Sequence, residues 1–310
     1  MRVLVVGAGA TGGYFGGRLA QAGRDVTFLV RARRAARLRE RGLRLIDPED
    51  TVTITPQLVT ADEIAGPYDL VLFSVKAAGL AQAIEDVAPA VGPDTVIVPF
   101  LNGMAHMDAL IARFGEHAVF GGVVKVFATV NDEGDIVQLA LTPPASIVVG
   151  ELDGSASQRL EEVRATLDGA GFVVVGTSAD IVAAMWHKWS FITTLGALTC
   201  LMRAPVGDIV AAGGAWLGPA ILAETGAVCA AAGHPLPDTD IAVTTAMVTE
   251  AGSAATSSSY RDLAGGRPVE VEHVFGDLVA RARKLGVDTP LLDLATLNLR
   301  VYQVRLAKER

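Results

Sequence analysis

The sequence predicts an α/β fold, with a doubly wound parallel sheet in the N-terminal half and an all-helical C-terminal half. Three observations carry this. Short apolar, β-branched runs alternate with helical segments up to about residue 177. A glycine-rich turn joins the first such run to the first helical segment. Beyond Asp180 no convincing strand occurs and long helical segments follow. Alternation of strand and helix marks a parallel sheet covered on both faces, and its end marks a boundary. The expected domains are residues 1–177 and 178–310.

Taken in order, Val3–Val6 is a continuous apolar run of the kind buried on both faces. Ala10–Ala22 reads as a helix stopped by Gly23, Asp25–Val30 as a second strand, and Ala32–Arg41 as a helix stopped by Gly42. Leu43–Ile46 and Val52–Thr55 read as an inserted hairpin. Tyr68–Val75 and Thr95–Phe100 are further buried strands around a helix at Leu80–Val87. Val119–Ala128, Ile136–Leu141, Ser146–Val149 and Phe172–Val175 complete the strands, with a helix at Gln158–Ala170. The helical half is expected to contain Ile181–Met202, Trp216–Ala232, Ala242–Arg261, Val269–Leu285 and Leu291–Ala307.

A chain of 310 residues is long enough for two domains. Its net charge of −8 argues against nucleic acid as a partner. Cys200 and Cys229 lie in apolar surroundings without CxxC or Cys/His spacing, so no metal site is expected and both read as buried thiols in a reducing compartment. The apolar run after Arg2 stops at a glycine turn, too soon for a signal peptide. Ser190–Met202 is shorter than the ~20 residues that span a bilayer. A cytoplasmic protein with no membrane partner is expected, and the apolar helical half offers a surface for a homodimer.

The turn GAGATG comprises Gly7, Ala8, Gly9, Ala10, Thr11 and Gly12. It fits G-x-G-x-x-G, follows a strand and opens a helix, which makes the first half a Rossmann-type dinucleotide-binding domain. Gly7 permits the tight turn, Gly9 the approach of a pyrophosphate, and Gly12 the packing of helix on strand; the free N–H groups of the helix end face the anion. After the second strand, where an acid would bind a ribose 2′-hydroxyl, the sequence has Arg31, with Arg33 and Arg34 close by. A guanidinium attracts a 2′-phosphate, so NADP(H) is expected rather than NAD(H). Lys76 in SVKA and Asn102 in LNGM each follow a buried strand at its carboxyl end, where ligands of open α/β sheets gather.

Ile181–Met202 carries one formal charge, Lys188. A lysine in an apolar helix is costly unless paired or functional, and burial would lower its pKa toward a value suited to proton donation. In EVEHVFGDL, Glu270 stands near a helix start, where acids are favoured in any case, and could pair with that lysine.

These pieces together resemble the ketopantoate reductase (2-dehydropantoate 2-reductase) family over nearly the whole chain: GAGATG with Arg31, SVKA with Lys76, LNGM with Asn102, WHK with Lys188, SSSYRD with Ser258, and EVEHVFG with Glu270. The resemblance implies that NADPH passes hydride to the C2 carbonyl of a 2-keto acid, with ketopantoate the default substrate. Lys188 would be the general acid, and Glu270 would anchor cofactor or substrate and tune Lys188. Asn102 would touch nicotinamide and substrate, Ser258 the substrate carboxylate, and Lys76 the ribose or the substrate. The chain departs from the family where substrate-binding asparagines give way to Ile192, Gly196, Val206 and Ala255; Thr193 or Arg203 are the candidate replacement donors. A site poor in amide donors discriminates poorly for a hydroxylated substrate. The alternatives are a related NADP-dependent hydroxy acid or alcohol dehydrogenase, and a non-catalytic NADP(H)-binding regulator.

Overall fold

The computed structural model describes residues 1–141, 143–177 and 180–309. The chain divides into two compact units, one of residues 1–101 and 106–182, the other of residues 102–105 and 183–310. The domain boundary expected at 177/178 adjoins residues 178 and 179, which lie outside the described residues.

In the first unit come β1 (Arg2–Val6), α1 (Ala10–Gln21), β2 (Asp25–Leu29), α2 (Ala32–Arg41), β3 (Leu43–Ile46), β4 (Thr51–Ile54) and β5 (Gln57–Val59). β6 (Leu70–Phe73), α3 (Leu80–Val87), β7 (Val96–Pro99) and α4 (Ala105–Phe114) follow. β8 (Gly121–Lys125), β9 (Ala128–Val130), β10 (Ile136–Gln138), β11 (Ser146–Gly150), α5 (Gln158–Leu167) and β12 (Val173–Thr177) complete it. The main sheet has the order β5-β2-β1-β6-β7, and all its pairs are parallel. Its central strands are buried on both faces, which is why Val3–Val6, Leu70–Phe73 and Val96–Val98 are unbroken apolar runs. The strand order reverses direction between β1 and β6, so the turns after these two strands stand at the switch point where such sheets bind ligands.

Two smaller sheets complete the unit. β12-β11-β8 lies beyond β7, linked to it by a bridge between Ile97 and Val119. The β3–β4 hairpin is more than an insertion: it joins β10 and β9 in a sheet of order β4-β3-β10-β9. Helix α1 is packed between this sheet and the main one. A Cβ on Gly16 would lie 2.7 Å from Phe28 and 2.8 Å from Val5, and one on Gly13 would lie 2.7 Å from Ile136. The glycines of ATGGYFGG therefore set how closely α1 approaches both layers. Strand β5 and helix α4 were not expected from the sequence.

The second unit holds α6 (Ile181–Met202, starting at the end of the first unit), α7 (Val206–Ala211), α8 (Leu217–Ala231), α9 (Asp238–Thr249), α10 (Ser258–Ala264), α11 (Asp277–Lys284) and α12 (Pro290–Lys308). Polar groups of the apolar α6 are satisfied by α8: Ser190 Oγ and Thr194 Oγ1 lie 2.8 and 3.0 Å from Thr225 Oγ1. Glu224 accepts from the N–H groups of Leu291 and Leu292 at 2.9 Å, meeting the open N-terminus of α12. The single helix expected at Ala242–Arg261 is two helices. Gly252 takes φ +71°, and Ser257 caps α10 by accepting from Tyr260 N at 2.9 Å, so the small-residue stretch GSAATSSS is the break between them. The segment expected as one helix from Val269 contains a π-helical turn, Glu272–Gly276, before α11.

Candidate functional site

The glycine turn is built as a cradle. Gly7 has φ +95°, and a Cβ there would lie 2.5 Å from the Ser74 carbonyl oxygen after β6. A Cβ on Gly12 would lie 2.2 Å from the Gly7 carbonyl oxygen. Neither position admits a side chain. Around Gly9, by contrast, a Cβ would meet nothing within 4 Å, and the residue is exposed. No side chain caps α1 and no acid stands in its first turn, so its N–H groups point into that open space. This arrangement fits the pyrophosphate of a dinucleotide, which brings its own acceptors and negative charge.

The basic run after β2 divides into two sets. Arg31 is the exposed N-cap of α2, and among the described residues its guanidinium takes no hydrogen-bond or ion-pair partner. Its Nη2 lies 3.7 Å from where a Gly79 Cβ would stand, so it leans over the short 3₁₀ turn Ala77–Gly79 that follows β6. Arg33 is exposed as well. Arg34 is turned inward and donates to the carbonyls of Ala8 at 3.2 Å and Gly134 at 2.9 Å. Arg37 donates to Asp132 O, and Arg44 pairs with Asp135 at 3.1 Å. These arginines clasp the β9–β10 turn, and Arg34 ties it to the glycine turn. Burial, then the charge of Arg37, lowers the Arg34 pKa, with Asp135 opposing. Sequence reasoning did not separate the two sets, because the contact at Gly134 lies a hundred residues downstream. Lys76 is exposed at the start of the 3₁₀ turn after β6.

In the second unit the π-helical turn is the organising feature. Glu270, half-buried, lies just before it, and its carbonyl accepts from Val274 N at 3.1 Å. His273 inside the turn touches the LNGM segment: a Cβ on Gly103, at φ +79°, would lie 2.7 Å from the His273 carbonyl oxygen. Burial lowers the His273 pKa; the charges of Glu270 and Asp277 and a hydrogen bond to the Asn102 main chain oppose it. The half-buried Lys188 precedes Trp189, whose indole N–H donates to Val274 O at 2.8 Å. Lys188, Asn102 and Glu270 are thus held by three segments anchored on one turn. A widened turn of this kind costs regular hydrogen bonding and frequently marks functional sites. His273 and Trp189 were not singled out from the sequence, although both lie inside the motifs that were.

Ser258 is exposed and opens α10, next to the capping Ser257, whose Oγ lies 2.9 Å from Thr199 Oγ1 on α6. Ile192 is half-buried on α6, one turn after Lys188. At Gly196 the space of a side chain is taken by the Phe275 ring, 2.7 Å from the Cβ position. Val206 and Ala255 meet through their main chains, N–H to carbonyl at 3.1 Å. Of the candidate replacement donors, Thr193 Oγ1 is buried without a hydrogen-bond partner among the described residues. Arg203 is exposed in a left-handed conformation, φ +53°. Burial pushes both thiols, Cys200 and Cys229, up to about 12. Among the described residues no group of His, Cys, Asp or Glu could hold a metal ion, and no helix is long and apolar enough to cross a membrane.

Comparison with known proteins adds the following. The family described as ketopantoate reductase PanE/ApbA matches residues 3–154, and its C-terminal part matches residues 180–303. The uncharacterized oxidoreductase YkpB of Bacillus subtilis (strain 168) is 33% identical over 304 residues, covering 98% of this chain and 99% of that one. The 2-dehydropantoate 2-reductase of Archaeoglobus fulgidus is 28% identical over 291 residues, 93% of this chain and 92% of that one. Among solved structures, 2-dehydropantoate 2-reductase from Geobacter metallireducens GS-15 superposes with a TM-score of 0.86 at 28% identity, covering 97% and 99% of the two chains. A D-mandelate dehydrogenase solved with NADH and anilino(oxo)acetate shares the fold, with a TM-score of 0.88 at 21% identity and coverage of 99% and 100%.

Proposed function

Because the chain belongs to the ketopantoate reductase family, and is an oxidoreductase with a nicotinamide dinucleotide cofactor, we propose that it reduces a 2-keto acid to the 2-hydroxy acid with NADPH. 2-Dehydropantoate is the default substrate. Residues 1–177 hold the cofactor and residues 178–310 supply the substrate-handling groups. The observation that carries this reading is the common anchoring of Lys188, Asn102 and Glu270 on the turn at residues 270–276.

Gly7, Ala8, Gly9, Ala10, Thr11 and Gly12 cradle the pyrophosphate with main-chain N–H groups, and Arg31 takes the 2′-phosphate. The bound nicotinamide supplies the hydride. Lys188 donates a hydrogen bond to the substrate carbonyl oxygen, stabilises the negative charge that grows there, and gives up its proton to make the hydroxyl. Solvent returns that proton. Glu270 positions Lys188 and accepts from a substrate or cofactor hydroxyl. Asn102 orients the carboxamide and the substrate, Ser258 the substrate carboxylate, and Lys76 the ribose or substrate. The buried, high-pKa thiols suit a reducing cytosol.

A second reading concerns only the substrate. Ile192 offers no amide, and the Phe275 ring fills the space beside Gly196. These features favour a 2-keto acid with fewer hydroxyls than 2-dehydropantoate.

The test is NADPH oxidation with a panel of 2-keto acids, hydroxylated and apolar, for the wild type and Lys188→Ala. Loss of a general acid is expected to lower kcat by ~10²–10⁴-fold while NADPH affinity stays within about twofold. Turnover by Lys188→Ala at the wild-type rate removes the mechanism. NADPH binding without turnover of any acid points to a regulator.

A further inference from the structure

Phe127 and Leu139 are 49% and 50% exposed, and they stand side by side. Leu139 N donates to Phe127 O at 2.7 Å, one step beyond the register that sets Gln138 against Ala128. The two residues are therefore directly opposite each other at the open end of the β9–β10 hairpin, and opposite side chains share a face. Along β10 the inward positions are Ile136 and Gln138, with Ile136 packed against Gly13 of α1. Phe127 and Leu139 form an apolar pair on the outward face.

The strands fix where this pair stands. β8 runs parallel to β7: Ile97 bridges to Val119, and a Cβ on Gly122 would lie 2.7 Å from the Pro99 carbonyl oxygen, where β7 ends. From Gly122 the strand continues to Lys125, about 10 Å past that level at ~3.3 Å per residue. Phe127 follows two residues later. Farther on, the β9–β10 turn is tied back to the glycine turn, because Arg34 donates to Gly134 O at 2.9 Å and to Ala8 O at 3.2 Å. The chain from Lys125 to Gly134 thus passes along the rim made by the carboxyl ends of β7, β6 and β1, the end of such a sheet at which ligands gather.

We propose that Phe127, with Leu139 beside it, is the platform on which the nicotinamide ring of the cofactor stacks. This rests on the dinucleotide placement given under the proposed function. Three features select that occupant. The first is direction. With the diphosphate on the glycine turn after β1 and the adenosine half toward Arg31 after β2, the other nucleoside extends the opposite way, over the ends of β6 and β7. Strands stand ~4.8 Å apart, so this path covers about 10 Å before it meets the overhang of β8. The second is size. Two half-exposed side chains offer far less than the ~800 Å² per partner of a standard protein interface, but they match one planar six-membered ring. The third is chemistry. A phenyl face and a flat ring stack favourably, and a nicotinamide covered on one side is screened from water there while its other side stays open to a substrate carbonyl.

The test compares NADPH with 2′-phospho-ADP-ribose, the same molecule without its nicotinamide ring, by calorimetric titration of the full chain. For Phe127→Ser, NADPH affinity is expected to fall roughly 5–30-fold while the fragment stays within about twofold, since the stacking is lost and every other contact is kept. The melt of the ligand-free variant is expected to match the wild type, because the side chain is exposed. Phe127→Tyr keeps the ring and is expected to bind NADPH within about twofold of the wild type. Equal losses for NADPH and the fragment overturn the proposal, as does a Phe127→Tyr variant that binds NADPH as weakly as Phe127→Ser. So does an unchanged NADPH affinity in Phe127→Ser; a raised KM for 2-keto acids in that case gives the platform to the substrate instead. Should Phe127→Ser lower the melt, Leu139→Ser carries the same comparison, with a loss of about 2–5-fold expected for NADPH alone and equal losses again overturning it. None of these titrations needs turnover. A protein that reduces no 2-keto acid loses the proposed reaction, and the titrations still decide on Phe127.

Discussion

Replacing Arg31 by alanine isolates the cofactor assignment. In the ligand-free protein the Arg31 guanidinium has no partner among the described residues and is exposed, so its removal leaves no orphaned group behind. Folding stability is then expected to change by no more than about 0.5 kcal/mol. The whole effect falls on binding. A hydrogen bond to a charged group contributes ~1.5–3 kcal/mol, and exposure to solvent places Arg31 at the lower end of that range. At ~1.5–2 kcal/mol, NADPH affinity drops roughly 10–30-fold at low salt, while NADH affinity stays within about twofold. Screening shortens the reach of the charge, so raising the salt from about 0.05 to 0.3 M should shrink the NADPH effect and leave NADH unmoved. Titrating both nucleotides by calorimetry at the two salt concentrations gives four numbers for each protein. Equal losses for NADPH and NADH would refute the phosphate assignment, because they would place Arg31 at a part of the cofactor that the two share.

Arg34→Ala is expected to do the opposite: it removes donors from the Ala8 and Gly134 carbonyls, lowers stability by ~1.5–3 kcal/mol, and weakens NADPH and NADH by the same factor. A thermal melt alongside the two titrations checks it. Gly9→Ala is expected to leave the melt unchanged, since nothing lies within 4 Å of the added Cβ, yet to weaken both nucleotides if the pyrophosphate takes the place proposed for it in that empty volume. An unaltered nucleotide Kd in Gly9→Ala contradicts the cradle. For His273, burial holds the folded pKa below its ordinary 6.5, so the unfolded chain takes up the proton first. Its contribution to stability is fully present above pH 6.5 and is lost as pH falls toward the folded value. Denaturant melts of wild type and His273→Asn between about pH 8 and 5 should therefore converge on acidification; parallel curves count against a buried neutral histidine.

The main sheet was legible because its strands are buried on both faces. Burial on both sides forces unbroken apolar runs, and Val3–Val6 and Leu70–Phe73 can hardly be anything else. Elements whose side chains point partly to water left weaker marks. β5 is three residues long at the edge of the sheet, and only Val59 in it is buried. α4 follows directly on LNGM and buries only His106, Met107 and Leu110 of AHMDALIARF, too few for a clear helical stripe. The helical half shows the converse error. Ala242–Arg261 reads as one helix because alanine and threonine fit a helix acceptably, while the break depends on a left-handed glycine and a capping serine whose partner, Thr199, is far away in sequence.

The candidate site shows where a one-dimensional pattern stops being informative. The glycine turn is local: its closest constraints, Gly7 against Ser74 and Gly12 against Gly7, follow from the strand–turn–helix geometry that the motif encodes. The basic run is not local in that sense. Seven arginines between Arg31 and Arg44 look alike as a string, yet only the tertiary contact with the β9–β10 turn decides which of them is spent on structure. Arg31, left over at the N-cap, gains its meaning from the commitments of Arg34, Arg37 and Arg44. Long-range contacts also set the frame around Lys188: its neighbour Trp189 commits its N–H to Val274, and His273 commits to the Asn102 segment, so the main chain that carries Lys188, Asn102 and Glu270 is fixed by partners far apart in sequence. Buried polar groups must be paired, and a fold that settles these pairs first concentrates its chemistry in the residues that remain.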